Sequence, residues 1–309
     1  MNGNTNDLTS RINECYGSLS KGQKILATYI TDNYDKAVFL TAAKMGQVVG
    51  VSESTVVRFA THLGYKGYPE FQKALEEMVR NKLNSIQRME VTYGRINQSH
   101  ILETVLQSDQ EKIKDTLEHI DEHAFELAVD TIIKAKHIYI VGIRSCAPLA
   151  AFMAFYFNLM LENVTLLQTN NSSELFEQMV RISKDDVIIG ISFPRYSMRT
   201  LKAMEFANNR NAKVITLTDS VHSPMNLYSS CNLIARSDMA SIVDSLVAPL
   251  SVINALIVAL CMKKQGEVAK TLETLEDIWN EYQVYENDEI NYIDDKIKMR
   301  YAKLGDADE

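Results

Sequence analysis

Five short β-rich runs, separated by helical segments, constrain the fold of this 309-residue chain more than any other feature. Each run is almost continuously apolar, so each is expected to be buried on both faces, as are the strands of a parallel sheet covered by helices. The alternation of strands with helices therefore predicts a doubly wound α/β domain over about residues 125–263. The predicted strands span residues 137–142, 164–168, 186–192, 213–219 and 232–236.

The N-terminal part is helical in pattern, and residues 50–71, GVSESTVVRFATHLGYKGYPEF, are typical of the second helix of a helix-turn-helix. Thr41 is predicted to cap a short helix that ends at Gly50, where a left-handed conformation turns the chain. Ser52 is predicted to cap the next helix, with Glu53 opposing the positive end of its dipole. Apolar residues at positions i, i+3, i+4 and i+7 predict the buried stripe of that helix. They are Val56, Phe59, Ala60 and Leu63.

The polar outer face of the second helix predicts contact with DNA. A helix with a hydrogen-bonding N-terminal end and an arginine one turn later fits the major groove, where base edges present distinct donors and acceptors. A helical hairpin whose outer face is merely solvated explains the periodicity equally well, and spacing alone does not decide between the two. The predicted DNA-binding residues are Ser52, Ser54, Thr55, Arg58, His62 and Lys66.

The net charge of −8 at first argues against a nucleic-acid partner, but the charge is unevenly distributed. Residues 1–82 contain ten Lys and Arg against eight Asp and Glu, whereas residues 267–309 contain five against thirteen. A mildly basic helix-turn-helix region favours DNA only weakly. One copy is therefore expected to bind DNA poorly, which favours a dimer that presents two such regions.

The composition, 46% apolar and 23% charged residues, is typical of a soluble folded protein. The four cysteines are scattered, without CxxC pairs or nearby histidines at metal-ligand spacing, so they are interpreted as free thiols in a reducing cytoplasm. No metal or cofactor is predicted.

Residues 1–10 predict no signal peptide. The apolar stretches 149–161 and 246–262 are too short or too polar for a bilayer span and predict buried helices, so no membrane partner is expected.

Polar side chains follow the first and third predicted strands. Ligands of such sheets bind at the carboxyl ends of the strands, where helix N-termini favour anions. VGIRSCAP follows Ile140 and SFPRYSMRT follows Ile191, so hydroxyls, helix amides and an arginine predict a phosphate site. Any single Ser or Thr here is more often a helix cap, but their convergence at two strand ends favours a ligand. The predicted ligand-binding residues are Ser145, Ser192, Arg195, Ser197 and Thr200.

Five segments together carry a family resemblance: LSKGQKILATYI, VSESTVVRFATHLGYKGYPEF, IYIVGIRSCAPLA, ISFPRYSMRT and AKVITLTDSVHSPM. They resemble the MurR/RpiR family of bacterial transcriptional regulators, which join an N-terminal helix-turn-helix domain to a C-terminal sugar isomerase (SIS) domain. The resemblance spans about residues 19–260. It implies a repressor or activator, dimeric or tetrameric, whose affinity for double-stranded operator DNA changes when a phosphosugar occupies the SIS domain.

The resemblance also implies roles for individual residues. Ser145 would lie in the first phosphate loop, and Ser192 and Ser197 would take the first Ser and the final Thr of the family's serine-rich loop. The chain departs from the family where Pro194 and Arg195 replace a second Ser and a Gly. Proline removes a donor and stiffens the loop, while arginine supplies a charge-assisted fork for an anion. The anion site is expected to persist, and the departure bears on which ligand it takes.

The chain is thus divided into a helix-turn-helix domain over residues 1–80, linker helices over 81–124, a SIS domain over 125–263 and an acidic helical extension over 264–309. Its fold class is an all-α domain followed by a doubly wound α/β domain.

The rival hypothesis is that the chain is a sugar-phosphate isomerase whose catalytic base is Glu174 or His222. Because a Glu at a helix start is more often a partner of the helix dipole, a binding module is favoured over an enzyme. In the extension, an apolar stripe predicts packing on the core or on a partner subunit. The stripe is Leu272, Leu275, Ile278, Trp279 and Tyr282.

Overall fold

The structure, a computed structural model, describes residues 8–38, 40–82, 86, 88–89, 100–168, 171–238, 243–282 and 284. Its N-terminal part is helical. The helices are α1 (Leu8–Cys15), α2 (Lys21–Asp32), α3 (Tyr34–Ala37), α4 (Ala42–Val49), α5 (Glu53–His62) and α6 (Tyr68–Lys82).

Side-chain caps determine where α4 and α5, the helix-turn-helix pair, begin. Thr41 Oγ1 accepts a hydrogen bond from the Lys44 amide at 3.2 Å, and Ser52 Oγ accepts one from the Thr55 amide at 3.3 Å. Between them Gly50 has a φ of 77°, a left-handed conformation that glycine adopts without a steric cost. The predicted caps and the predicted turn are confirmed.

The N-terminal helices enclose a hydrophobic core of their own. Phe59 of α5 and Phe71 of α6 meet edge to face, with 5.7 Å between ring centroids, and both are fully buried. Leu26 and Ile30 of α2 are equally inaccessible. The predicted stripe of α5 is buried along its whole length, so its opposite face is left for solvent or a partner. That stripe is Val56, Phe59, Ala60 and Leu63.

The C-terminal part alternates strands with helices. Two helices precede the first strand, α7 (Ile101–His119) and α8 (Glu122–Lys134). The five predicted strands are all present, each within about two residues of its predicted bounds. The elements that follow α8 are β1 (Ile138–Gly142), α9 (Ala147–Met160), β2 (Val164–Leu166), α10 (Ser172–Gln178), β3 (Val187–Ile191), α11 (Met198–Asn208), β4 (Lys213–Thr218), β5 (Cys231–Ile234), α12 (Val247–Lys263) and α13 (Gln265–Glu281).

The strands form one parallel sheet in the order β2-β1-β3-β4-β5. Helices α8, α9 and α12 pack on one face, and α10 and α11 pack on the other. Both β1 and β3 are buried at every residue, which explains why their sequences are continuously apolar. Because helices cover both faces, the predicted doubly wound fold is confirmed.

Two predicted regions are only partly described. Residues 83–85, 87 and 90–99 of the predicted linker lie outside the described residues, as do residues 283 and 285–309 of the C-terminal extension. Helix α13 buries Val268, whereas Leu272, Leu275 and Trp279 of the predicted stripe are half-buried and Ile278 and Tyr282 are exposed.

No described helix alone has the length and hydropathy of a bilayer span. Helices α12 and α13 meet both criteria only when they are taken together, and they are bent by 99° relative to each other.

Candidate functional site

The strand order brings the two predicted phosphate loops side by side. β1 pairs with β3 over its full length, from Ile138 opposite Val187 to Gly142 opposite Ile191, so the loops after these strands leave from neighbouring positions. The chain winds outward from this point in both directions, toward β2 on one side and β4 on the other. In such sheets a crevice forms at this point of reversal, outside the carboxyl ends of the strands.

The loop after β1 is a tight turn into α9. A Cβ added to Gly142 would lie 2.5 Å from the Cys146 carbonyl oxygen and 2.9 Å from Ala150 Cβ, so only glycine allows the turn to approach the strand this closely. Arg144 has a φ of 61°, and a short 3-10 turn, Arg144–Cys146, leads into the helix. This geometry leaves the side chain of Ser145 exposed above the strand end.

The buried thiol of Cys146 lies beneath this loop. Its burial raises the pKa of Cys146 to about 11, while hydrogen bonds with the Phe193 backbone and the Ser145 side chain oppose that shift. The thiol is therefore protonated near neutral pH and is a poor nucleophile. Its contact with Phe193 also joins the loop after β1 to the loop after β3.

The loop after β3 is closed by hydroxyl groups. Ser192, only 2% exposed, accepts a hydrogen bond at Oγ from the Ser197 amide at 3.0 Å. Ser197 in turn caps α11 by accepting a hydrogen bond at Oγ from the Thr200 amide at 3.3 Å. Both hydroxyls act here as acceptors, so each retains its proton for donation to an anion.

The remaining predicted ligand residues lie at opposite extremes of burial. Arg195 is exposed near the tip of the loop after β3, where its guanidinium is accessible to an incoming ligand. Thr200 is completely buried in the first turn of α11, and its Oγ1 has no hydrogen-bond partner among the described residues. Thr200 therefore contributes its backbone amide, rather than its hydroxyl, to the loop.

Four residues near this site were not singled out in the sequence analysis. Tyr196 donates a hydrogen bond from its hydroxyl to Asp219 Oδ1 at 2.8 Å, which ties the loop after β3 to the end of β4. Arg88 and Asp244 form a buried ion pair at 3.0 Å, and the charge of Asp244 contributes to the raised pKa of Cys146. The sequence could have pointed to Asp219, because a polar residue at the end of a predicted strand is a candidate for a ligand site. It could not have pointed to Arg88, which lies in a segment predicted only as a linker.

The two candidate bases of the isomerase hypothesis are both exposed. Glu174 lies in the first turn of α10, after the cap Asn171, and His222 lies in the loop after β4. A carboxylate in a first helical turn interacts favourably with the helix dipole, which accounts for Glu174 without a catalytic role.

Four of the six predicted DNA-binding residues lie on α5, while Ser52 caps the helix and Lys66 follows it; the four are Ser54, Thr55, Arg58 and His62. The hydroxyl oxygens of Ser54 and Thr55 lie 2.9 and 2.8 Å from Ser52 Oγ, so three hydroxyls cluster at the N-terminus of the helix. Arg58 is exposed one turn later. His62 instead contacts the segment between α1 and α2, where its Nε2 lies 2.8 Å from Ser18 Oγ.

The basic turn after α5 is fixed to the body of the domain. The amide of exposed Lys66 donates a hydrogen bond to Glu70 Oε2 at 2.5 Å. The hydroxyl of Tyr68 donates one to the Leu40 carbonyl at 2.6 Å. Burial raises the pKa of Tyr68 to about 12, as expected for a phenol whose ionised form would lose solvation.

Comparisons with known families match both halves of the chain. The helix-turn-helix domain of the rpiR family matches residues 6–82, and the SIS domain matches residues 131–259. The Escherichia coli HTH-type transcriptional regulator HexR is 24% identical over 287 residues, which cover 90% of this chain and 96% of that one. An uncharacterized HTH-type transcriptional regulator of Haemophilus influenzae is 25% identical over 271 residues, covering 85% and 92%.

Two solved structures share the fold. The sugar isomerase domain of an RpiR transcription factor from Sphaerobacter thermophilus has a TM-score of 0.55 at 26% identity, covering 58% of this chain and 99% of that one. The Vibrio vulnificus NanR protein, complexed with ManNAc-6P, has a TM-score of 0.54 at 20% identity, covering 91% and 100%. With its rpiR-type helix-turn-helix followed by a SIS domain, the chain belongs to the RpiR family of transcriptional regulators.

Proposed function

We propose that this regulator binds operator DNA as a dimer through α5 and that a phosphosugar bound at the β1 and β3 loops changes its affinity for DNA. One observation supports this proposal more strongly than the others. The loops after two adjacent parallel strands converge with hydroxyl donors, in a chain whose other half presents a polar helix on a helix-turn-helix.

The exposed face of α5 supports DNA recognition. Ser54, Val57, Arg58 and Thr61 follow one another at helical spacing, and all four are exposed. A hydroxyl, a guanidinium and a branched apolar group match the acceptors and the thymine methyl that the major groove displays. Lys66, exposed beyond the helix, is proposed to contact phosphate.

The ligand half of the proposal rests on the chemistry of the two loops. Ser145, Ser192 and Ser197 supply hydroxyl donors, Arg195 supplies an exposed cation, and the N-termini of α9 and α11 favour a negative charge. A phosphate monoester satisfies all of these groups. The bound ManNAc-6P of the NanR protein supports a phosphosugar as the ligand class.

Exposed apolar side chains support association of two copies. Leu102, Leu106 and Leu117 of α7 are more than half exposed, and so are Val258 and Met262 of α12. Apolar surface of this extent on neighbouring helices is typical of protein interfaces. A dimer also supplies the second helix-turn-helix that the weak basic charge of one copy requires.

The proposal is tested by fluorescence anisotropy with a DNA fragment from the promoter that adjoins the coding sequence. Wild type is expected to bind it, and Arg58→Ala is expected to bind about tenfold or more weakly at matched salt, since one base contact contributes about 1–3 kcal/mol. Arg181→Ala, which removes an exposed arginine from the SIS domain, is the matched control. Equal binding by wild type and Arg58→Ala would remove α5 from the interface.

The effector half is tested on the same complex. A phosphosugar is expected to change the DNA affinity of wild type but not that of a variant combining Ser145→Ala with Ser192→Ala. An unchanged response in the double variant would place the effector elsewhere. Turnover of a sugar phosphate that is abolished by Glu174→Gln would favour the isomerase instead.

A further inference from the structure

A cavity of about 630 Å³ lies between α7 and the carboxyl ends of β4 and β5. It opens at the same edge of the sheet as the phosphate loops, because the strands are all parallel. Asp219 belongs to its wall and also accepts the hydrogen bond from Tyr196, the residue before Ser197. Asp219 therefore links the wall of the cavity to the loop that carries the candidate phosphate site.

The α7 wall contains a buried lysine. Lys112 is 4% exposed, and its Nζ donates hydrogen bonds to the Ser108 carbonyl at 3.2 Å and to Ser108 Oγ at 2.5 Å. The nearest carboxylate oxygen, Asp109 Oδ1, is 3.9 Å away, at the outer limit of an ion pair. An ammonium group has three donors, so one remains for a ligand in the cavity. Buried lysines are rare without a close partner, which makes this placement informative.

Five carboxylates line the cavity against three cations and one histidine; the carboxylates are those of Glu111, Asp115, Glu118, Asp219 and Asp238, and the other groups are those of Lys112, Lys114, Arg236 and His119. Asp115, Asp219 and Asp238 face Lys112 and Arg236, and Arg236 Nε lies 3.2 Å from Asp238 Oδ2 and 3.8 Å from Asp115 Oδ2. Carboxylates accept hydrogen bonds from hydroxyl and amino groups and repel another carboxylate. Such a wall has a net negative charge, so it favours hydrogen-bond donors over a ligand carboxylate.

Hydrogen bonds at and beside the cavity hold α7 to the chain that follows β5. Thr116 Oγ1 accepts a hydrogen bond from the Arg236 amide at 2.8 Å, and Ser245 Oγ donates one to Asp109 Oδ1 at 2.6 Å. Helix α7 begins at Ile101, on the chain segment that leads back to the helix-turn-helix. A ligand that contacts both walls therefore acts directly on the connection between sensor and DNA-binding domain.

We propose that this cavity holds the hydroxyl-bearing body of the effector and selects phosphosugars that carry no carboxylate, an inference that rests on the proposed function. The phosphate group binds at the Ser192 and Ser197 loop. Hydroxyl or amino groups of the sugar donate to Asp115, Asp219 and Asp238, and a hydroxyl accepts from Lys112. A sugar acid is excluded by the negative wall.

Isothermal titration with three probes tests this assignment. Glucose 6-phosphate, glucosamine 6-phosphate and 6-phosphogluconate share a phosphate and a six-carbon skeleton but differ in charge. Wild type is expected to bind the first two about tenfold more tightly than the third, a difference of about 1.4 kcal/mol. Asp115→Asn and, separately, Asp238→Asn are expected to reduce this preference to about threefold or less.

The control is Asp277→Asn, which removes one carboxylate from the exposed surface of α13 and is expected to keep the wild-type preference. Equal affinity of wild type for all three probes would overturn the cavity assignment but not the proposed effector function. The same holds if Asp115→Asn and Asp238→Asn both keep the wild-type preference against 6-phosphogluconate. If neither these probes nor inorganic phosphate binds, the proposed effector function fails as well. Because Asp115 and Asp238 are substantially exposed, both variants are expected to fold.

Discussion

Arg88 and Asp244, which are 156 residues apart in the sequence, form an ion pair in which one guanidinium nitrogen lies 3.0 and 3.2 Å from the two carboxylate oxygens. Their side chains are only 4% and 11% exposed. Arg88 comes from the segment that follows the DNA-binding domain, while Asp244 lies near the turn that contains Cys146. The pair thus joins the connecting segment to the candidate phosphate loop.

Removing one member of this pair should destabilise the SIS domain. Arg88→Met leaves the Asp244 carboxylate buried without its partner, at a cost of about 3 kcal/mol in the free energy of unfolding. Urea denaturation followed by circular dichroism measures this loss. Lys136→Met is the control, because it breaks an ion pair with Asp185 whose side chains are 76% and 41% exposed, and it should leave the midpoint nearly unchanged. Similar losses in both variants would show that burial of the Arg88 pair has no special effect.

Replacing Lys66 by alanine should weaken DNA binding without regard to sequence. Lys66 is exposed on the turn after α5, where it is proposed to contact phosphate. Each phosphate contact releases counterions, so the slope of log K against log salt should become shallower by about one unit. Anisotropy titrations over a series of salt concentrations, on the promoter fragment and on a scrambled one, give this slope. A loss confined to the promoter fragment would instead make Lys66 a base-reading residue.

Ser192→Ala should weaken phosphate binding more than Ser197→Ala weakens it. The Ser192 hydroxyl accepts the Ser197 amide from a buried position, so its loss both removes a ligand donor and leaves a loop amide without its partner. A lost buried hydrogen bond costs about 1–2 kcal/mol of stability. Thermal shifts with inorganic phosphate compare the two variants, and Thr274→Ala on α13 is the control. The reverse ranking would indicate that the cap of α11, rather than the closure of the loop, forms the anion site.

Tyr68→Phe should destabilise the helix-turn-helix domain and alter its response to alkali. The substitution removes the hydrogen bond to the Leu40 carbonyl, at a cost of about 1 kcal/mol. Burial raises the pKa of Tyr68 from 10.0 to about 12 in the folded protein, so the unfolded chain releases this proton first. Stability from this group is complete below pH 10 and declines as the pH rises toward 12. The difference in melting temperature between wild type and Tyr68→Phe should therefore shrink across that interval, and a constant difference would contradict the assignment.

The features that were predicted from the sequence are those that local patterns encode. Continuous apolar runs identified β1 and β3, because these two strands are buried on both faces. Thr41, Ser52 and Gly50 identified the helix pair, because caps and left-handed turns depend on neighbouring backbone groups. The fold class follows from these two kinds of signal together.

The features that were not predicted depend on distant parts of the chain. The burial of Thr200 results from the packing of α11 on the sheet, and the Arg88 and Asp244 pair results from the course of the connecting segment. The cavity exists because α7 lies across the ends of β4 and β5, although its residues are far from both strands in sequence. Periodicity reports which face of an element is buried, but not which other element covers it.

The separate core of the N-terminal helices has a consequence for synthesis of the protein. Among the described residues this core ends at Val79, so the helix-turn-helix domain is complete long before the ribosome reaches β3, which supplies part of the candidate ligand site. N-terminal domains generally fold first as a chain emerges. A chain truncated between these points would carry the helix-turn-helix domain without the SIS domain, so arrested translation or proteolysis would yield fragments that lack the proposed effector site.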